Sequence, residues 1–420
     1  MNYHLRLFLL PVLFAFVLLS CGEKEAGYDQ ITILKSADPQ WEGARYPDIA
    51  LAPDGKAYIS FIKDLDSTQT GLYVQELSAS GEQSAPAVLV ASGDDWFVNW
   101  ADFPTLAVTG EQMLASWLQK SGDGDYDYDI QIARSTDRGA SWSEGQQLHD
   151  DTVKAEHGFL TLAGKEDGGI QAVWLDGRNS KGTGHEGHSG HEGHGGGAMS
   201  LRTATISPDG SIAASILIDD RVCDCCQTDI VMAGDRPVIA YRDRREPEIR
   251  DLALATYVDS HWVAGLHLGE DNWDIAACPV NGPAIDVQGD QVLTARFTGA
   301  GGDARVLVNT MSLSTQEQTA SIRMDDAAPA GRVDAAWIAE GRAVVIWVEQ
   351  VKAGAALMLA VIDTDAGEIV HKEQIADYDP SRRSGFPRMK LWNGALYLLY
   401  TETKEVQGRN QIVLQRVLLS

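Results

Sequence analysis

The sequence predicts an all-β fold: a β-propeller of four-stranded blades, seven in number, with six as the alternative. Three observations carry this. One phrase, an apolar strand, a Gly- or Asp-bearing turn and a second strand closing on an aromatic residue, recurs seven times, as in PDIALAPDGKAYISF, DIVMAGDRPVIAY and PRMKLWNGALYLLY. The closing aromatics are Phe61, Trp117, Trp174, Tyr241, Phe297, Trp347 and Tyr400, and a period of this size made of short alternating strands is one blade per repeat. The last copy supplies three strands and stops, and Ile31–Leu34 at the other end can supply the fourth, closing the ring without a free edge.

Taken in order, residues 1–20 predict a lipoprotein signal peptide. Arg6 flanks an apolar run, Leu7 to Leu19, that is too short to span a bilayer. The run ends in Leu18-Leu19-Ser20-Cys21, which resembles a bacterial lipobox; the resemblance implies cleavage before Cys21 and its lipidation. Gly22, rather than an aspartate, favours the outer membrane in that family's sorting. Residues 21–30 then form a lipidated tether, and 31–420 one propeller domain with a His/Gly-rich loop at 181–199. In blade one the strands are read as Pro47–Ala52, Ala57–Phe61, Gly71–Leu77 and Ala87–Ala91, and the same order repeats. With 60 acidic against 34 basic residues the net charge is −26, which repels nucleic acid and favours cations.

After the third strand of blade two stands Ser135-Thr136-Asp137-Arg138-Gly139-Ala140-Ser141-Trp142, a full match to the S-x-D-x-G-x-x-W box. Ser135, Asp137, Gly139 and Trp142 are its structural residues: the aspartate caps turn amides, the glycine takes a positive φ and the tryptophan anchors the hairpin. The chain therefore resembles the Asp-box (BNR-repeat) propellers, whose best-known members are sialidases. The box supports an architecture, not a reaction.

In a propeller, the linkers between blades and the loops between the second and third strands share one axial face. Three groups on it bear chemistry. Cys223, Cys225 and Cys226 lie in the linker entering blade four and Cys278 in the equivalent linker of blade five, so four sulfurs should meet near the axis. Structural disulfides are one reading, with Cys223 or Cys226 bonded to Cys278 and the remainder closed locally, including a vicinal Cys225–Cys226 bridge. A thiolate site for Cu(I) or zinc is the second, and a redox pair the third. His185, His188, His191 and His194, three residues apart in a glycine-rich loop, offer imidazoles for a divalent ion, copper first, with His157 as a further ligand.

The third group comes from the resemblance. Sialidases use three arginines on the sugar carboxylate, a tyrosine nucleophile with a glutamate helper, and an aspartate acid/base. Arg45, in Arg45-Tyr46-Pro47, stands where the first arginine would, Arg250 or Arg242 and Arg305 are candidates for the others, Glu248 for the helper, and Asp64 or Asp66 for the acid. The leading expectation is an envelope-anchored propeller binding metal, copper or zinc, on Cys223, Cys225, Cys226 and Cys278 with help from the histidines. The alternatives are a sialidase-like glycoside hydrolase and a glycan- or protein-interaction platform on Trp41, Trp96, Trp100 and Trp273. The expected partners are the membrane, through the lipid, and a metal ion, a glycan or an envelope protein.

Overall fold

The computed structural model describes residues 28, 30–80, 85–110, 112–180, 197–352, 354–403 and 410–420. The expected signal peptide, Cys21, and His185, His188, His191 and His194 lie outside the described residues.

Seven four-stranded antiparallel sheets form a ring. Blade one is Ala44–Leu51, Ala57–Asp64, Thr70–Leu77 and Val88–Gly93. Blades two to six begin at Leu106, His157, Asp229, Ala284 and Pro329. Blade seven joins Arg388–Trp392, Ala395–Thr403 and Asn410–Leu419 to Ile31–Ser36, with Ile31 opposite Leu419 and Ser36 opposite Leu414. The ring thus closes by pairing the two ends of the domain, and the seven-blade expectation holds.

Strand alternation explains the interior. Six of the seven second strands turn a buried closing aromatic into the apolar layer between blades, Phe61, Trp117, Trp174, Tyr241, Trp347 and Tyr400, while Phe297 in blade five is half-buried. Each such ring contributes roughly 2–3 kcal/mol relative to exposure. A polar device sets the blades' order. Aspartates near the axis accept a backbone N–H from the next blade: Asp48 from Leu106 (3.1 Å), Asp102 from Phe159 (2.7 Å), Asp229 from Ile285 (2.8 Å), Asp286 from Trp337 (2.8 Å) and Asp334 from Met389 (2.7 Å). The inner strands have no neighbour on the axial side, so these carboxylates satisfy N–H groups that would otherwise be orphaned.

The turn at 135–142 behaves as its residues require. Ser135 Oγ accepts from Gly139 N (2.9 Å), Asp137 Oδ1 from Ser141 N (2.9 Å), and Gly139 sits at φ 82°.

Candidate functional site at the axial mouth

Local backbone geometry aims side chains at the axial face. The innermost strand carries a bulge where it leaves the linker in blades one, three and six. At each bulge a non-glycine residue takes a left-handed conformation: Tyr46 (φ 53°), Phe159 (φ 51°) and Arg332 (φ 53°). Such bulges re-aim side chains beside sites, and the surrounding structure holds the strain.

Two of these three residues help form a cationic, aromatic mouth. The Trp100 ring stacks on Phe386 at 5.6 Å, and the Arg332 and Arg382 guanidinium groups lie 5.0 and 5.8 Å from its centroid. Arg332 is buried and donates to Ser384 Oγ (2.7 Å) and to the carbonyls of Gly385, Pro380 and Ser381 (3.0, 3.1 and 3.1 Å). Among the described residues neither Arg332 nor Arg382 has a carboxylate partner. Tyr46 packs on Gly385, where an added Cβ would come within 2.7 Å of its ring. Burial pushes the Tyr46 hydroxyl up, opposed by Arg45, Arg383 and Arg332. Trp100 is half-buried and Arg382 exposed, so the mouth is open to a ligand. The other linker tryptophans do not join it. Trp41, Trp96 and Trp273 are buried, Trp41 donating to Gln75 Oε1 (2.6 Å) and Trp273 lying under Arg242 at 5.0 Å. A large amphipathic ring at a blade junction is worth more as packing than as exposed surface.

The sulfurs come together, but in pairs other than those expected. Cys225 is bonded to Cys278, with Cα atoms 6.0 Å apart. Cys223 and Cys226 are buried thiols with Sγ atoms 2.6 Å apart. The reason is local. Cys223 N–H donates to Arg242 O (2.9 Å), which turns its sulfur inward, whereas Cys225 sits half-exposed at the tip of the linker facing blade five. Neither a bond from Cys223 or Cys226 to Cys278 nor a vicinal Cys225–Cys226 bridge forms. Thiolates sharing a tetrahedral ion at about 2.3 Å would stand roughly 3.8 Å apart. The Sγ atoms of Cys223, Cys225 and Cys226 lie within 4.8 Å of one another, a grouping that could hold a metal ion, but Cys225 and Cys278 carry no thiolate while bonded. Burial pushes the Cys223 thiol up, but Cys226, Arg242 and Arg250 (Nη1 to Sγ 3.6 Å) outweigh it and bring it to about 7.

The residues assigned through the sialidase resemblance are each engaged locally. Arg45 holds Asp64 through two 2.8 Å bonds, and Asp64 lies below its ordinary value: burial raises it, and the Arg45 bond outweighs that. Asp66 caps the amides of Thr68 and Gln69 (2.7 and 2.9 Å). Glu248 bonds Arg244 (2.8 Å) and Arg250 (2.9 Å), and Arg244 first, then Arg250, hold its carboxyl at about 2. Arg242 donates to the carbonyls of Arg250, Asn281 and Phe297 (2.6, 2.8 and 2.9 Å), and Arg305 lies 3.8 Å from Asp303. Among the described residues no contact joins Arg45, Arg250 and Arg305, and no tyrosine hydroxyl bonds Glu248.

A tyrosine between two carboxyl groups does occur, elsewhere. Tyr128 Oη bonds Asp102 Oδ2 (3.0 Å) and Glu156 Oε1 (2.8 Å). Burial pushes Glu156 to about 8 and Asp102 to about 7. Neither Asp102 nor Glu156 carries a motif in the sequence, and the partnership of Glu156 depends on Tyr128 pairing beside it across blades two and three. His157 is fully buried at the start of blade three.

No protein-family model and no curated protein matches the chain. Among solved structures, a protein of unknown function from Dyadobacter fermentans is similar over 93% of this chain and 99% of its own, with TM-score 0.52 and 11% identity. The polysaccharide lyase Uly1 is similar over 92% of this chain and 91% of its own, with TM-score 0.52 and 11% identity. Trypanosoma rangeli sialidase matches over 88% of this chain and 59% of its own, with TM-score 0.45 and 12% identity. At such identities the likeness is one of fold.

Proposed function

We propose that this chain is an envelope-anchored propeller, lipidated at Cys21, that binds an acidic saccharide at the axial mouth formed by Tyr46, Trp100, Arg332 and Arg382. One observation carries the reading. In a chain of net charge −26, two guanidinium groups meet on one aromatic ring with no carboxylate partner among the described residues. An aromatic face takes the apolar face of a sugar ring, and a guanidinium takes its carboxylate through paired N–H bonds. The Cys225–Cys278 cross-link supports placement outside the cytosol, since disulfides persist in oxidising compartments.

The test is titration of the purified chain with sialyl and glucuronyl oligosaccharides and with their neutral counterparts. Tighter binding of the acidic forms is expected. Arg382→Ala should weaken that binding by roughly tenfold, the value of one charge-assisted hydrogen bond. Equal affinity for neutral sugars, or an Arg382→Ala protein binding as well as the parent, would overturn the reading.

A further inference from the structure

Beyond that reading, and independent of it, the sulfurs of the axial face are arranged for exchange. We propose that the Cys225–Cys278 bridge migrates to Cys223 and Cys226 by two thiol–disulfide exchanges, turning a surface cross-link into a surface dithiol. A bonded pair and a thiol pair meet at one spot. Cys225 is half-exposed and Cys278 exposed, and the two are bonded; Cys223 and Cys226 are buried thiols. The Sγ atoms of Cys223, Cys225 and Cys226 all lie within 4.8 Å of one another.

A named group meets each requirement of exchange. Attack needs a thiolate beside a disulfide sulfur. Arg250 Nη1 lies 3.6 Å from Cys223 Sγ, and a guanidinium next to a sulfur favours its thiolate. Glu248 (2.9 Å) and Asp224 (3.5 Å) hold Arg250 in that place. Resolution needs a second thiol set against the first. Cys226 Sγ stands 2.6 Å from Cys223 Sγ, just beyond the ~2.05 Å of a bond, so this pair closes with almost no movement. Both thiols are only 1% exposed, which shields them from reagents in solution and leaves Cys225 as the disulfide sulfur in their reach.

The steps balance within the chain. The Cys223 thiolate attacks Cys225 Sγ; the Cys223–Cys225 bond forms, the Cys225–Cys278 bond breaks, and Cys278 leaves with the electron pair as a thiolate. The Cys226 thiolate then attacks Cys223 Sγ, and Cys225 leaves in the same way. The two protons given up by Cys223 and Cys226 end on Cys278 and Cys225. Two electrons pass from the inner pair to the outer one, with no outside oxidant or reductant. The outcome is a change at the axial face. The Cys225–Cys278 bond ties the linkers entering blades four and five, whereas a Cys223–Cys226 bond lies within a single linker and frees them from each other.

The experiment uses the full chain carrying Cys21→Ser, so that these four are its only cysteines. It is purified without reductant and incubated, folded, with iodoacetamide at about pH 8, where thiolates form. Alkylated and bridged peptides are then mapped by mass spectrometry. Without reductant, Cys278 becomes a free thiol only when another sulfur of the chain displaces it. Alkylation of both Cys225 and Cys278 is expected, together with a Cys223–Cys226 bridge and a rate independent of protein concentration. Cys226→Ser should stop after the first step, with Cys278 alone alkylated and a Cys223–Cys225 bridge. Cys223→Ser should keep Cys225–Cys278 intact and unlabelled. Native circular dichroism checks each variant. Should Cys223→Ser fail to fold, Arg250→Gln, which keeps all four sulfurs, is expected to slow Cys278 labelling roughly tenfold. A parent chain in which Cys278 is never alkylated, whether it holds one lasting bridge or two, would sink the proposal. So would a Cys223→Ser chain labelled at Cys278 as fast as the parent.

Discussion

Removing the Cys225–Cys278 cross-link tests how the axial face of blades four and five is held. The two cysteines are 53 residues apart, and that segment contains all of blade four. In the chain-entropy account, closing a loop of this length removes unfolded-state freedom worth about 4 kcal/mol at 25 °C. The perturbation is the double change Cys225→Ser/Cys278→Ser, which leaves no orphan thiol to react with Cys223 or Cys226. With a urea dependence of about 3 kcal/mol/M for a domain of this size, the midpoint should fall by about 1 M. The parent protein in strong reductant should show the same fall, and the double variant should be indifferent to reductant. Paired denaturation curves by circular dichroism and tryptophan fluorescence decide the matter. A midpoint unchanged to within ~0.2 M in both comparisons would refute the entropic argument, because the loop length leaves little room for a smaller effect.

The remaining predictions concern the axis. Asp334→Ala removes the acceptor of Met389 N–H (2.7 Å) at the joint between blades six and seven and should cost about 1–3 kcal/mol, read as a lower urea midpoint. Gly282→Ala would place a Cβ 2.2 Å from the Gln227 carbonyl oxygen; this backbone clash should cost about 1–3 kcal/mol and reduce soluble yield. Burial pushes the Asp229 carboxyl up to about 6. The folded state therefore keeps this proton where the unfolded state has lost it, so its contribution to stability is greatest at low pH and declines as pH rises from about 4 to 6. The full swing is roughly 3 kcal/mol. Asp229→Asn should flatten that part of the profile, measured as urea midpoint against pH; an unchanged slope would reject the assignment.

The blade pattern was legible because it is local. A strand that buries one face must alternate, and the closing aromatics record where each second strand ends. Closure by Ile31–Ser36 was legible for a topological reason: a last repeat one strand short leaves an edge that only the other end can cover. The Asp clasps were not legible. Asp48 and Asp334 look like turn or surface residues in a single repeat, and only the next blade's unpaired N–H gives them a role. The cysteine pairing was misread for a related reason. Linker positions placed four sulfurs on one face, but the Cys223 N–H bond to Arg242 decides which sulfur turns inward.

The sites divide along the same line. Linker positions pointed to Arg45 and Trp100, yet could not say which arginines carboxylates would neutralise, because those partners lie in other segments. The cluster between blades two and three shows the limit more sharply. Tyr128 and Asp129 are adjacent, as are Glu156 and His157, and side chains alternate along extended chain. Tyr128 and Glu156 therefore meet Asp102, while Asp129 and His157 meet His149 on the opposite side. A one-residue shift in either segment would exchange the two groups, placing imidazoles at the axis and the tyrosine between blades. The Tyr128–Glu156 bridge sets this register, so the same pairing that builds the tyrosine–carboxyl group also assembles the imidazole pair. A change that loosens that bridge should disturb both groups at once, whereas Asp129→Asn should leave the Tyr128 hydrogen bonds as they are.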